Sequence, residues 1–131
     1  MVVAREVAAQ EIEKWLDYKK INDRKREQYK DSIDALIDAV SDGVLTVDED
    51  HNLVQSLKFP IGNEVTTSKL EYKPRLKVAS VHSALQGVKT ADADGRICAY
   101  IAALTSQPKG VITALDTEDY SIGQAIAIFF L

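Results

Sequence analysis

The amino-terminal part of the chain places apolar side chains at the spacing of a helix, in two successive stripes. The stripes consist of Val7, Ile12, Trp15 and Leu16, followed by Tyr29, Ile33, Leu36, Ile37 and Val40. Because residues three or four apart share one face of a helix, each stripe predicts an amphipathic helix. Asn22 or Asp23 would cap a second helix if "KKIND" is a joint, and the same letters also fit one long helix. Gly43 suits the left-handed residue that ends a helix, so residues 1–43 are predicted to form a helical arm of one or two helices.

The next segment alternates between apolar and polar residues, as strands do. "VLTV" and "LVQSLKF" flank the turn-prone "DEDHN". One face of the second strand would hold Leu53, Gln55, Leu57 and Phe59. "PIGN" at residues 60–63 predicts a second turn, and "EVTTSKLEYK" predicts a third strand that stops before Pro74. Residues 44–73 are thus predicted to be a three-stranded antiparallel meander.

Helical spacing returns in the carboxy-terminal half. "KVASVHSALQGV" and "GRICAYIAAL" each carry apolar side chains on one face. In the last helix, Asp116 or Thr117 is the predicted cap. Ile122, Ile126 and Phe129 follow at steps of four and three residues, so this helix also has one apolar face.

These patterns predict the α+β fold class: an N-terminal helical arm, a small antiparallel three-stranded sheet, and C-terminal helices packed on the sheet. Helices are needed on one side because so few strands cannot bury two faces alone. We expect an arm at residues 1–43 and an α+β core at 44–131, with the helices of the core at 76–131. The two parts are expected to form one folded unit.

Composition narrows the class of protein. The 131 residues are 46% hydrophobic and 27% charged, as in ordinary globular domains, and a net charge of −4 gives no general attraction to nucleic acids or anionic membranes. The single cysteine excludes an internal disulfide. Arg5 and Glu6 stand where a secretory signal would be apolar, and the longest apolar run, "AIAIFFL", is shorter than the roughly 20 residues of a membrane helix. We expect a cytoplasmic protein that makes no membrane contact.

The segment "DEDHN" has oxygen-bearing side chains at alternate positions, as calcium-binding loops do. Asp48, Asp50 and Asn52 fall at that spacing. Leu53 stands where such a loop needs glycine, however, and Phe59 stands where it needs a bidentate glutamate. We therefore expect a solvated hairpin turn and no metal site.

No arrangement of residues predicts catalysis. His82 lies on an apolar helix with neither a nucleophile motif nor a carboxylate placed near it in sequence. Cys98 stands between Ile97 and Ala99, where a small buried side chain is expected rather than a reactive thiol. The chain is therefore predicted not to be an enzyme and to need no cofactor.

Positive charge is concentrated in the run "KKINDRKREQYK" at residues 19–30. Its basic residues are Lys19, Lys20, Arg24, Lys25, Arg26 and Lys30. A solvated helix face is the simplest interpretation, because acidic residues outnumber basic ones over the whole arm. The alternative function is a small nucleic-acid-binding or regulatory module that uses this run, although nucleic acid is not the expected partner. "KPRLK" is a shorter basic segment of the same kind.

Residues 53–131 resemble a known family in the order of their elements and in several short motifs. Two motifs lie in the hairpin: a strand entering a proline-glycine turn, and a strand leaving through a basic residue and a proline. The residues that match the hairpin motifs are Phe59, Pro60 and Gly62, then Lys73 and Pro74. The carboxy-terminal match runs through Leu104-Thr105, Pro108, Val111-Ile112, Leu115-Asp116 and Glu118-Asp119-Tyr120, and ends in an apolar helix. This arrangement is similar to that of the tail assembly chaperones of long-tailed bacteriophages with contractile tails.

The resemblance implies a non-enzymatic helper protein. Members of the family bind the long helical tape measure protein, keep it soluble, and recruit tail tube subunits before they leave the finished tail. The chain would then act in the cytoplasm of the bacterial host and be missing from the mature virion. Many members also occur in a longer form made by ribosomal frameshifting. The helical arm departs from the family pattern, which often begins close to the hairpin.

The terminal "IAIFFL" contains the apolar side chains whose role in binding matters most. Its phenylalanines would either close the core or contact a partner, and two adjacent side chains cannot share one helix face. The candidate partner-binding residues are Ile122, Ile126, Phe129 and Phe130 on the last helix, with Trp15 and Leu16 on the arm. An exposed apolar terminal helix would also favour self-association.

Overall fold

The computed structural model describes residues 2–62 and 66–131 of the chain. In these residues it has seven helices and three strands. The elements are α1 (Arg5–Tyr18), α2 (Asp23–Gln28), α3 (Lys30–Ser41), β1 (Leu45–Val47), β2 (Leu53–Ile61), β3 (Thr67–Tyr72), α4 (Val78–Leu85), α5 (Ala93–Thr105), α6 (Lys109–Thr113) and α7 (Thr117–Ala127). The predicted α+β class, with helices before and after a three-stranded antiparallel sheet, is confirmed.

The sheet is a meander in the order β1-β2-β3, with every pair antiparallel. Strand β2 continues through Pro60 and Ile61, so the prediction that a turn begins at Pro60 is wrong. The pairing of β2 with β3 is irregular between Ser56 and Ile61. A proline is tolerated there because its missing N–H costs no regular ladder bond. The rest of the predicted turn, at Asn63, lies outside the described residues.

The irregular pairing also changes which side chains point inward. Leu53, Gln55 and Leu57 are buried, as the alternation predicts. Phe59 was expected on the same face, but it is 50% exposed, because it lies within the irregular stretch of β2.

The arm contains three helices rather than the one or two expected. Asn22 caps α2, its side chain accepting a hydrogen bond from the Lys25 N–H at 2.8 Å. The backbone leaves the helical region at Tyr29 (φ −109°, ψ 31°), which separates α2 from α3. Gly43 ends this part with φ 80°, as predicted, and glycine adopts that conformation without steric cost.

One core joins the arm to the sheet and to the last helix. Its largest fully buried side chains are Trp15, Tyr72, Ile12, Leu16, Leu36, Leu45, Leu53, Leu70, Ile101, Leu104, Ile112 and Ile126. Helix α3 lies between α1 and α7 and packs against both. The arm is therefore a layer of the folded unit rather than a projecting segment.

Helix α4 differs from the other long helices. None of its residues is buried, although its composition is apolar, and it packs on α5. Val78 at its start is 76% exposed. Within residues 2–62 and 66–131, no helix has the length and apolar character needed to cross a membrane.

Candidate partner-binding surface

The structure distributes the six candidate partner-binding residues between the core and its edge. Trp15, Leu16, Ile126 and Phe129 are buried, whereas Ile122 and Phe130 are partly exposed. The four buried side chains can contact a partner only if α7 separates from the arm. Partner binding in the folded state therefore remains a prediction for Ile122 and Phe130 alone.

Phe129 and Phe130 were expected on the last helix, but α7 ends at Ala127, so both lie in the turn that follows it, where they have different environments. The Phe129 ring meets Trp15 edge-on at 5.9 Å and Tyr29 edge-on at 5.8 Å between ring centroids. Such edge-to-face pairs are favourable arrangements of aromatic quadrupoles. The Phe130 ring lies 6.4 Å from Trp15 at the edge of the same cluster. Phe129 thus closes the core, while Phe130 reaches the surface.

A lysine of the arm covers one face of Phe130. The Lys19 Nζ atom lies 3.4 Å from the ring centroid and donates a hydrogen bond to the Pro74 carbonyl at 3.2 Å. Burial, and after it the charges of Arg75 and Lys25, lowers the pKa of Lys19 from 10.5 to about 8. Lys19 and two further cations thus lie close together beside the Phe130 ring.

Two basic segments that lie far apart in sequence meet at this place. Arg75, from "KPRLK", donates a hydrogen bond to the Tyr18 carbonyl at 3.2 Å and lies 5.3 Å from the Tyr18 ring centroid. Lys19 and Lys25 belong to the run at residues 19–30. Sequence reasoning treated the two segments separately and missed their junction, because no local signal relates residues more than fifty positions apart.

An apolar pocket opens beside this junction. Its lining consists of Leu76, Val78, Val81, Tyr100 and Phe130, and its volume is about 280 Å³. We call it the Phe130 pocket. Ligand sites for small molecules usually begin at about 300 Å³, so this pocket is better suited to one or two side chains of a protein partner.

A second, larger groove of about 560 Å³ runs between α5, α6 and the start of α7. Its apolar lining includes Cys98, Ile112, Leu115 and Tyr120. Burial raises the pKa of the Cys98 thiol despite the nearby charge of Lys109. The thiol therefore stays protonated near neutral pH and is not an activated nucleophile.

A buried polar network, which the sequence analysis missed, attaches α7 to the sheet. Asp119 is 1% exposed, and its carboxylate accepts hydrogen bonds from the backbone N–H groups of Lys58 at 2.9 Å and Phe59 at 3.0 Å. The Gln55 side chain donates to the Asp119 carbonyl at 2.9 Å and accepts from the Tyr72 hydroxyl at 2.7 Å. Burial, and then the charge of Asp119, raises the pKa of Tyr72, which keeps this hydroxyl a donor. The sequence did contain one signal of this network: Gln55 is a polar residue at a strand position that was predicted to point inward.

The remaining polar candidates show structural roles. The Asp48 carboxylate accepts hydrogen bonds from the backbone N–H groups of Asp50 and Asn52, both at 2.9 Å, which closes the predicted hairpin turn. His51 has φ 66° and stacks on Tyr18 at 3.8 Å. In the part of the chain that the structure describes, no group of three His, Cys, Asp or Glu residues is placed to hold a metal ion.

Comparisons of the chain with models of protein families, with curated proteins and with solved structures gave no match. A function must therefore be proposed from the sequence resemblance together with the surface geometry.

Proposed function

We propose that the chain is a non-enzymatic tail assembly chaperone of a phage with a contractile tail. It binds the tape measure protein, keeps it soluble and helps to recruit tail tube subunits in the host cytoplasm. The motif resemblance over residues 53–131 supports the family. The observation that supports protein binding is the Phe130 pocket, an apolar surface between α4 and the turn that follows α7.

The pocket suits a helical partner for a physical reason. An amphipathic helix binds a groove through apolar side chains three or four residues apart. Val78 is 76% exposed and Phe130 is partly exposed, so a partner that covers them removes apolar surface from water. The same surface accounts for the expected self-association, because a second copy of the chain can cover it when the partner is missing.

The test is co-expression with the tape measure protein from the same genome. We expect the unaltered chain to increase the soluble tape measure protein and to co-elute with it. Val78→Asp should abolish both effects, because it places a charge at the mouth of the pocket. Lys69→Glu, an exposed change on β3, is the matched control and should behave like the unaltered chain.

Point variants are preferable to a chain that ends at Asp116. Such a truncation removes the buried Ile126 and Phe129, so loss of binding would report loss of folding. If the tape measure protein is equally soluble with and without the chain, the proposal is wrong.

A second candidate is the nucleic-acid-binding or regulatory module. The junction of Lys19, Lys25 and Arg75 favours it, because clustered basic side chains contact phosphates. Two observations weigh against it. Arg26 forms ion pairs with Glu13 and Asp17, so its charge is not available to a phosphate, and the chain has a net charge of −4. It predicts DNA or RNA retention in a filter-binding assay at low salt, with a steep loss as salt rises.

A further inference from the structure

Basic residues from two parts of the chain lie close to the lining residues of the Phe130 pocket or next to them in sequence. Lys19 lies over the Phe130 ring, and the Lys25 Nζ atom donates to the Phe129 carbonyl at 3.4 Å. Arg75 lies close enough to Lys19 to lower its pKa, and Arg75 and Lys77 flank Leu76, a residue of the pocket lining, in the chain. We call these four side chains the basic rim.

The basic rim has no acidic counterpart within the described residues. The ion pairs found there join Arg5 to Asp38 and Arg26 to Glu13 and Asp17. No side-chain or terminal carboxylate lies within ion-pair distance of a rim residue in residues 2–62 and 66–131. Although the chain has a net charge of −4, the described residues thus form no ion pair that neutralises the positive charge beside this apolar pocket.

We propose that the Phe130 pocket and its basic rim form the docking site for an acidic amphipathic segment of a partner protein. An apolar side chain of that segment enters the pocket, and its flanking carboxylates pair with Lys25, Arg75 and Lys77. This inference rests on the proposed function, since it names the chemistry of the partner at the same site.

The lining of the pocket favours a protein over a nucleic acid. Leu76, Val78 and Val81 offer aliphatic contacts, which suit aliphatic side chains and contribute little to a sugar-phosphate backbone. Lys19 supports the choice of an acidic segment. Its ammonium group is partly desolvated and faces two neighbouring cations, so a carboxylate placed beside it offsets an existing penalty.

Fluorescence anisotropy with two labelled peptides tests the inference. Both peptides carry leucine at positions i, i+3, i+4 and i+7 of a helix; one has glutamates at the flanking positions and the other has lysines. We expect the unaltered chain to bind the glutamate peptide about tenfold more tightly than the lysine peptide, as two or three exposed ion pairs would give. This comparison needs no variant and therefore does not depend on the folding of one.

Variants then locate the binding. The triple change Lys25→Glu, Arg75→Glu and Lys77→Glu should reverse the preference between the peptides. Its matched control has the same change in charge at exposed positions outside the rim and should keep the preference. The control changes are Lys30→Glu, Lys69→Glu and Lys89→Glu. Circular dichroism verifies that each variant keeps the helical content of the unaltered chain.

The possible failures separate this inference from the proposed function. Equal binding of the two peptides overturns the inference, and so does a preference that survives the triple change. The proposed function stands in either case if Val78→Asp still loses the tape measure protein. If Val78→Asp has no effect while the unaltered chain still solubilises the tape measure protein, the chaperone function stands, but its placement at the Phe130 pocket and this inference both fail. A labelled DNA duplex that binds more tightly than the glutamate peptide and displaces it overturns the inference in favour of a nucleic acid.

Discussion

At the scale of single residues, Asp119 connects the last helix to the sheet. Its carboxylate meets two backbone N–H groups of β2 that lie within the irregular stretch of the pairing with β3. Buried N–H groups without partners are costly, so the sheet depends on this side chain where its own ladder is interrupted.

Asp119→Asn should lower the free energy of unfolding by about 1–3 kcal/mol. An amide has only one acceptor oxygen, so one of the N–H groups of Lys58 and Phe59 loses its partner. Urea denaturation measures the effect as a lower midpoint at an unchanged slope. The neighbouring Glu118→Gln is the control: this side chain is exposed and should cost only a few tenths of a kcal/mol. Equal midpoints for the two variants would contradict the proposed role of Asp119.

Lys19 predicts how stability changes with pH. Its pKa is about 8 in the folded chain and 10.5 as an isolated group, so between these values the unfolded state holds a proton that the folded state has released. The free energy of unfolding therefore gains a contribution that rises from about pH 8 to about pH 10.5. Below pH 8 the group is charged in both states and this contribution is constant.

The check is a comparison of urea midpoints at about pH 7 and about pH 9.5 for the unaltered chain and Lys19→Met. The unaltered chain should gain more stability, or lose less, between the two pH values than the variant does. The raised pKa values of Cys98 and Tyr72 act on both proteins alike, so they cancel in the comparison. An identical pH dependence in the two proteins would refute the assignment.

At the scale of elements, the turn that follows α7 has two functions in adjacent residues. Phe129 is 3% exposed and lies against Trp15 and Tyr29, whereas Phe130 lines the surface pocket. One step along the chain separates a residue that stabilises the fold from one that the proposed function uses.

Substitution of the two phenylalanines should separate these functions. Phe129→Ala removes a buried ring and should cost about 3–5 kcal/mol of stability. Phe130→Ala should cost clearly less, and it should weaken binding of the glutamate peptide, because it removes one wall of the pocket. Thermal unfolding, followed by the fluorescence of Trp15, the single tryptophan, measures the stability of both variants. Fluorescence anisotropy measures their binding of the glutamate peptide. If Phe130→Ala is as destabilising as Phe129→Ala, the two residues do not divide the roles in this way.

At the scale of the whole molecule, the arm and the α+β part share one core. Trp15 and Leu16 are fully buried, and the backbone continues the connection where the Val44 N–H donates to the Ala39 carbonyl at 3.0 Å. Removal of the arm would expose the faces of α7 and β1 that it covers.

Residues 44–131 alone should therefore lack a cooperative thermal transition. Without α1 and α3, the apolar side chains that face them meet water, and a domain of this size has only a few kcal/mol of stability to lose. Differential scanning calorimetry of the truncated and full chains measures this. A sharp transition in residues 44–131 would show that the arm is a separate unit after all.

Local signals in the sequence predicted the fold class and most element boundaries. Asn22 and Asp116 cap α2 and α7, Gly43 ends α3, and Asp48 closes the first hairpin. These features involve residues no more than four positions apart, so composition and order are sufficient to indicate them. The second turn was misplaced because a bulge depends on how two strands pair, which no single strand encodes.

The candidate site, in contrast, is a product of tertiary structure. The order of residues fixes that Phe129 and Phe130 are adjacent and that one helix face cannot hold both. In the structure both follow α7 in a turn, and only the packing of that turn against Trp15 and Tyr29 decides which ring is buried. Likewise, two weak basic segments become one rim, and Asp119 meets β2, because the core brings distant segments together. Contacts of this range depend on the burial of the whole chain, and this is why the sequence alone indicated the fold class and most of the elements, whereas the fold decided the surface.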